Sequence, residues 1–300
     1  IEGGTDYLVI LGTTAENATL TAEEQQSVIN KAVAVNAGRL PLVLGAGGNN
    51  TAALTQSLEK KDLSAFSAVL SVSPYYNRPS QAGIFAHYSQ VAKASKLPVI
   101  LYNVPGRTGS NVLPETVIKL ALAEPNIIGV KEAMGDLTQM MRLIKDRPDG
   151  FLVLSGDDMI ALPTVSVGGE GVISVLGQGL PKMFSNMIRE GLSGNFEAAY
   201  DKHYKLMRAT DLIFAEGNPA GIKALLAHKG LCKDTVRLPL MSATTVLKQD
   251  IATTGEILNI LNKNQINFEV IPEYDLVHYF DKITKLFIGT QSLTNDEHII

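Results

Sequence analysis

VILYNVPGRTGSNVLPETVIKLALAEPNIIGVKEA, residues 99–133, holds one complete crossover unit. Val99–Tyr102 and Ile127–Lys131 are short, continuous apolar runs rich in β-branched residues, the pattern of strands covered on both faces. Between them Pro114 suits the first position of a helix, and Val117, Ile118 and Leu120–Leu122 supply its apolar side. Parallel strands require a helical crossover of this kind, whereas antiparallel ones need only a tight turn.

The same unit recurs in both directions along the chain. Leu8–Leu11 (LVIL), Leu42–Gly45 (LVLG) and Val69–Val72 (VLSV) precede it, and Leu152–Ser155 (LVLS) and Val172–Val175 (VISV) follow it. Strand starts fall every 20 to 34 residues, about one βα unit each. The segments between carry helix-start signals. Thr21-Ala-Glu-Glu24 is a capping box, Ser80 can cap Gln81–Ala94, and Asp136 can cap the stretch before Met140–Ile144. Seven strands fit an open doubly wound sheet or most of a closed barrel. The placement of chemically useful side chains favours the barrel: Thr13-Thr14, Tyr75-Tyr76, Tyr102, Lys131 and Ser155-Gly156-Asp157 all stand at or just after C-terminal strand ends. A barrel gathers those ends into one ring, and an open sheet spreads them out. After Val175 the pattern turns helical, with Ala198–Phe214 and Ala220–His228 as clear amphipathic segments.

Composition narrows the function. The 300 residues carry 26 Lys+Arg against 30 Asp+Glu, so the net charge of −4 offers no basic field for nucleic acid. No apolar run approaches the ~18 residues of a membrane span. Cys232, the single cysteine, can form neither an internal disulfide nor a zinc cluster. With no signal peptide read at the start, the expected compartment is the cytoplasm. The five histidines show no metal-ligand spacing, so no metal site is expected. Gly45-Ala-Gly-Gly48 lacks the last glycine of a dinucleotide fingerprint, and no G-x-S-x-G elbow occurs.

Lys131 is the residue with the most chemical potential. A lysine at a strand end can snorkel to solvent. Held inside a barrel, out of water, it keeps more of its amine neutral and able to attack a ketone. Tyr102, on the preceding strand, would reach the same space, and its phenol could shuttle the protons that imine chemistry demands. Taken alone it also reads as a core tyrosine. Arg107, on a glycine-flanked loop, suits a carboxylate clamp or an ordinary surface position. Paired hydroxyls at Thr13 and Thr14 can relay a proton or bind a carboxylate.

Taken together, GTTAEN (12–17), SPYYNRPSQAGIFAHY (73–88), ILYNVPGRTG (100–109), IIGVKEA (127–133), LSGDD (154–158) and GGEGVISV (168–175) closely resemble the dihydrodipicolinate synthase family of pyruvate-dependent class I aldolases. The resemblance runs from Ile1 to about Asp250. It implies a (β/α)8 TIM barrel followed by a C-terminal helical extension. It also implies a lyase of lysine and diaminopimelate biosynthesis, acting on pyruvate and aspartate 4-semialdehyde without metal or organic cofactor. By the same resemblance Lys131 forms the imine with pyruvate, Tyr102 is the general acid/base, and Thr13 links it to Tyr76 in a proton relay. In the family that tyrosine comes from a neighbouring subunit, so a homo-oligomer, a dimer of dimers, is implied. Thr14, Ile173 and Gly156 fall at the pyruvate site, and Arg107 falls where the second substrate's carboxylate is held. Arg107 also separates this branch from the sialic-acid lyases, which usually lack it; another pyruvate-dependent aldolase of sugar-acid or sialic-acid type, or an inactive truncated barrel, are the alternatives.

Set against that family, the sequence is expected to lack the first βα unit of the barrel. The expected organisation is barrel strands two to eight over 1–176, C-terminal helices over 177–252, and a tail of different character over 253–300. In the tail a short helix, a strand at Phe268–Ile271 and a helix from Tyr274 to Phe287 are read.

Overall fold

The computed structural model of the chain describes residues 1–264. The strand at Phe268–Ile271 and the helix at Tyr274–Phe287 lie outside the described residues. The strands are β1 (Leu8–Ile10), β2 (Leu42–Gly47), β3 (Ala68–Val72), β4 (Val99–Asn103), β5 (Ile127–Glu132), β6 (Leu152–Ser155) and β7 (Gly171–Val172). They form one parallel sheet in chain order. The intervening helices are α1 (Ala22–Asn36), α2 (Thr51–Lys60), α3 (Gln81–Ala94), α4 (Pro105–Thr108), α5 (Pro114–Ala123), α6 (Leu137–Asp146) and α7 (Ala161–Ser166). Beyond the sheet come α8 (Pro181–Leu192), α9 (Phe196–Ala215), α10 (Ala220–His228) and α11 (Thr245–Asn264). Helix α11 runs straight through the point, near residue 252, where a change of character was expected.

Local chemistry starts the helices where the sequence places them. The Thr21 hydroxyl accepts from the Glu24 N–H at 3.2 Å, and the Glu24 carboxylate accepts from the Thr21 N–H at 2.9 Å, closing the capping box. Ser80 accepts from the Gly83 N–H at 3.3 Å, and Asp136 from the Thr138 N–H at 2.8 Å. Each satisfies a backbone donor that the first turn would otherwise leave unpaired.

Successive strand residues alternate between two cores, as a pleated strand dictates. Leu42, Leu44, Val69, Leu101, Val130 and Val153 pack outward against the helices. Val43, Leu70, Ile100, Tyr102, Leu154 and Ile173 share an inner cluster with Val9 and Tyr7. That inner cluster unites residues from both ends of the sheet. The Tyr7 hydroxyl, just before β1, donates to the Val172 carbonyl of β7 at 3.3 Å. Arg189 of α8 likewise bonds the Gly4 carbonyl and, at 2.9 Å, the Asp6 carboxylate. The sheet therefore curls until its first and last strands approach, and this curvature brings the C-terminal strand ends toward a common mouth.

The last strand is shorter than the Val172–Val175 run anticipated. Ile173 N–H still reaches the Ser155 carbonyl at 2.9 Å. Beyond it the buried Asp158 carboxylate accepts from the N–H groups of Val175 (3.0 Å) and Leu176 (2.7 Å) and turns the chain into a short 3-10 segment, Leu176–Gln178.

His87 of α3 is buried, with Nδ1 2.8 Å from the Thr51 hydroxyl and Nε2 lacking a partner among the described residues. Burial pushes its imidazole pKa down to about 4. The unfolded chain, titrating near ~6.5, binds the proton first. The stability due to neutral His87 is thus complete above pH ~6.5 and is lost as pH falls toward about 4. His87→Gln is expected to flatten the decline of Tm across that window; an unchanged pH slope would contradict this.

Candidate active site

Residues 102 and 131 face each other because of the β4–β5 ladder, which pairs Tyr102 with Lys131 and Asn103 with Glu132. Tyr102 and Lys131 point to the inner side, where both are more than nine-tenths buried. The Lys131 Nζ lies 4.3 Å from the centre of the Tyr102 ring, over its electron-rich face. The amine is thus held inside the curled sheet, beside a phenol, rather than extended into solvent.

Gly156, at the end of β6, makes room for that lysine. A Cβ there would stand 2.9 Å from the Lys131 Cε, 3.0 Å from its Cγ and 2.6 Å from the Ala133 Cβ. Any larger residue would push the lysine stem aside. Asp158 sits two residues on, 3% exposed. Burial raises its pKa, while its hydrogen bonds and the nearby Lys131 charge act in the opposite direction. In the sequence Asp158 stands out only as part of the segment LSGDD (154–158). Its actual work, holding the N–H groups after Ile173, depends on contacts across 17 and 18 residues and leaves no local signature. Among the described residues no group of three or more His, Cys, Asp or Glu side chains is arranged to hold a metal ion.

Thr14 and Arg107 meet through a residue not singled out from the sequence. The Asn218 side-chain amide donates to the Thr14 hydroxyl at 3.0 Å, and its backbone carbonyl accepts from an Arg107 Nη at 3.3 Å. Asn218 is 7% exposed, and its Oδ1 has no partner among the described residues. Arg107 itself is exposed, on the single turn α4 directly after β4. Its guanidinium stays in reach of an incoming carboxylate. Glu16 anchors the Thr13–Thr14 turn from below by accepting from Lys223 of α10 at 3.1 Å and from the Arg237 N–H at 3.2 Å. Ile173 borders the inner cluster beside Tyr102 and Val104.

The structure leaves two of the selected residues apart from this group. Thr13 is exposed, in a 3-10 turn, and its hydroxyl has no hydrogen-bond partner among the described residues. Tyr76 is 88% exposed and has a left-handed backbone, φ 74°. That conformation costs a non-glycine residue about 1–2 kcal/mol. It is held by the Tyr76 N–H donating to the Thr108 carbonyl of α4 at 3.2 Å. The loop thus presents the phenol outward, away from its own inner cluster.

This arrangement has relatives. The model of the dihydrodipicolinate synthetase family matches residues 1–257. A 4-hydroxy-tetrahydrodipicolinate synthase from Flavobacterium psychrophilum is 59% identical over 242 residues, covering 81% of this chain and 83% of the relative. One from Parabacteroides distasonis is 46% identical over 260 residues, covering 87% and 88%. Among solved structures, dihydrodipicolinate synthase from Thermotoga maritima superposes with a TM-score of 0.84 at 34% identity, covering 87% of this chain and 89% of that one. With the family model spanning most of the sequence, and the buried lysine facing a tyrosine across a parallel ladder, the chain belongs to the dihydrodipicolinate synthetase family.

Proposed function

We propose that this chain condenses pyruvate with L-aspartate 4-semialdehyde to give 4-hydroxy-tetrahydrodipicolinate, a lyase-class step of lysine and diaminopimelate biosynthesis. Its relatives of 46–59% identity carry the name of that enzyme. The single observation that carries the chemistry is the Lys131 amine, buried 4.3 Å from the Tyr102 ring centre.

In this reading the neutral Lys131 amine adds to the pyruvate ketone, and water leaves as the protonated imine forms. Tyr102 delivers and removes the protons of addition and dehydration. The imine withdraws electrons, so a methyl proton departs and an enamine results. The enamine carbon attacks the aldehyde, whose oxygen takes up a proton. The amine of the new chain then adds to the imine carbon, the ring closes, and Lys131 is released. Every electron pair needed comes from the substrates and the lysine.

Thr14 and Ile173 would hold pyruvate, with Gly156 leaving space beside the imine. Arg107, pinned by the Asn218 carbonyl, would pair with the carboxylate of the second substrate. The outward, strained Tyr76 fits a phenol that completes a relay through Thr13 in a neighbouring subunit, and so fits a homo-oligomer. We infer that the seven strands take seven places of an eight-stranded barrel, with the helices from residue 177 through α11 (Thr245–Asn264) as its helical extension. Among the described residues no helix is long and apolar enough to cross a membrane, and the proposed location is the cytoplasm.

Purified protein assayed with both substrates is expected to turn over, and Lys131→Ala to abolish turnover. Tyr102→Phe should lower kcat by roughly 10²–10⁴-fold, the range for a lost general acid/base. Condensation by wild type with other aldehydes but not with aspartate 4-semialdehyde would overturn the substrate assignment. Arg107→Ala is expected to weaken use of the carboxylated aldehyde by about 10–100-fold, from losing a charge-assisted pair, and to leave the pyruvate KM within about twofold. Equal damage toward both substrates would show that Arg107 does not select the aldehyde.

A further inference from the structure

On the outer face of the sheet, directly behind the Lys131–Tyr102 pair, lies a polar cluster that the reaction does not touch. Glu132 is fully buried and Asn103 is 1% exposed. The Asn103 Nδ2 donates to both Glu132 oxygens, at 2.8 and 3.0 Å. Gln139 of α6 donates to Glu132 at 3.0 Å, and the Met134 N–H at 2.8 Å. Asn111 closes the ring: its Oδ1 accepts from Asn103 at 2.7 Å and its Nδ2 donates to Gln139 at 2.8 Å. The Asn103 Oδ1 in turn accepts from the Val112 N–H at 2.9 Å.

No lysine or arginine among the described residues forms an ion pair with this carboxylate. A buried, unpaired carboxylate is an expensive way to fill a core, and apolar packing of equal volume would serve stability at least as well. Its donors are a strand amide, a helix amide and a backbone N–H, so its specific contribution is geometric.

The β4–β5 ladder shows what needs fixing. Val99 pairs with Ile127, but Ile100 pairs with Gly129, so one residue, Ile128, is extra on β5. Two registers therefore coexist in one short ladder. Continued from its start, the first would set Tyr102 opposite Val130 and Asn103 opposite Lys131. The observed second register opposes Tyr102 to Lys131 and Asn103 to Glu132. A one-residue slip moves a strand by ~3.3 Å and reverses its faces. Lys131 would then leave the inner side altogether. The Asn103–Glu132 contact forms only in the register that assembles the candidate site.

We propose that Glu132 is a positioning residue whose buried contact with Asn103, Gln139 and the Met134 N–H locks the β4–β5 register and so holds the Lys131 amine opposite the Tyr102 phenol. This rests on the reading of Lys131 and Tyr102 as the reacting pair. Glu132 touches neither substrate; it acts through the strand it terminates.

The test uses Glu132→Gln, which keeps size and shape but turns one acceptor into a donor facing the Asn103 amide. Three readouts are taken on folded protein: kcat, pyruvate KM, and the rate of borohydride-trapped imine formation at Lys131. The expected result is a fall of about tenfold or more in kcat and in trapping rate, with KM within about twofold. Adding Asn103→Asp lets the whole ring reverse, with the Asn111 and Gln139 amides turned over so that Asn111 Nδ2 donates to residue 103 and Gln139 accepts from residue 132, and it keeps the oxygen that receives the Val112 N–H. The pair is expected to recover at least threefold of the lost rate. Wild-type kcat in folded Glu132→Gln, or a loss that Asn103→Asp does not relieve, overturns the proposal. If Glu132→Gln yields no folded protein, Gln139→Leu, which removes one donor and keeps the Asn103 contact, is expected to slow trapping about threefold. Unchanged trapping there also overturns it. Absence of wild-type labelling at Lys131 would instead defeat the assignment of the reacting pair.

Discussion

The opposition of Lys131 and Tyr102 across two parallel strands is the constraint on which the rest of the molecule turns. An amine and a phenol side by side in a dry interior are useful only while both remain there. The sheet secures this in two ways. Its pleat sends residues 102 and 131 to the same side, and its curl encloses that side with residues from both ends of the sheet, from Tyr7 and Val9 to Ile173. The Tyr7–Val172 hydrogen bond is the direct mark of that enclosure.

Around this pair the chain sorts its tasks by position. Strand ends supply the pair proposed to react, a glycine makes room for the lysine stem, and exposed turns carry the groups that would meet substrate carboxylates. The C-terminal helices do more than cover apolar surface. Asn218 and Lys223 reach back across more than 200 residues to the turn at 13–16, so the helical region fixes the mouth of the sheet. Two buried carboxylates serve strand ends: Glu132 is the last residue of the lysine's own strand, and Asp158 lies just beyond β6. Each spends its hydrogen-bonding capacity on backbone N–H groups or amides at strand ends. Such groups add little net stability for their desolvation cost, and their value lies in geometry.

Much of this was legible in the sequence, and the reason is locality. Capping at Thr21, Ser80 and Asp136 needs only residues within a turn of one another, and continuous β-branched runs mark covered strands wherever they occur. The spacing of Tyr102 and Lys131 also predicts the side-by-side placement observed. Contacts between distant segments were not legible. Nothing near Asn218 announces a bond to Thr14, and nothing near Asp158 announces that it will shorten the last strand. The extra residue at Ile128 is invisible in an apolar run where every residue suits a strand. The outward direction of Tyr76 depends on a left-handed backbone at a tyrosine, a conformation that residue identity argues against.

The most direct measurement of the central claim is peptide mapping after borohydride treatment of the intact protein with pyruvate. With Lys131 as the imine-forming amine, a one-pyruvate increment appears only on the peptide bearing Lys131. An increment on another lysine, or none while condensation activity is present, would contradict that assignment.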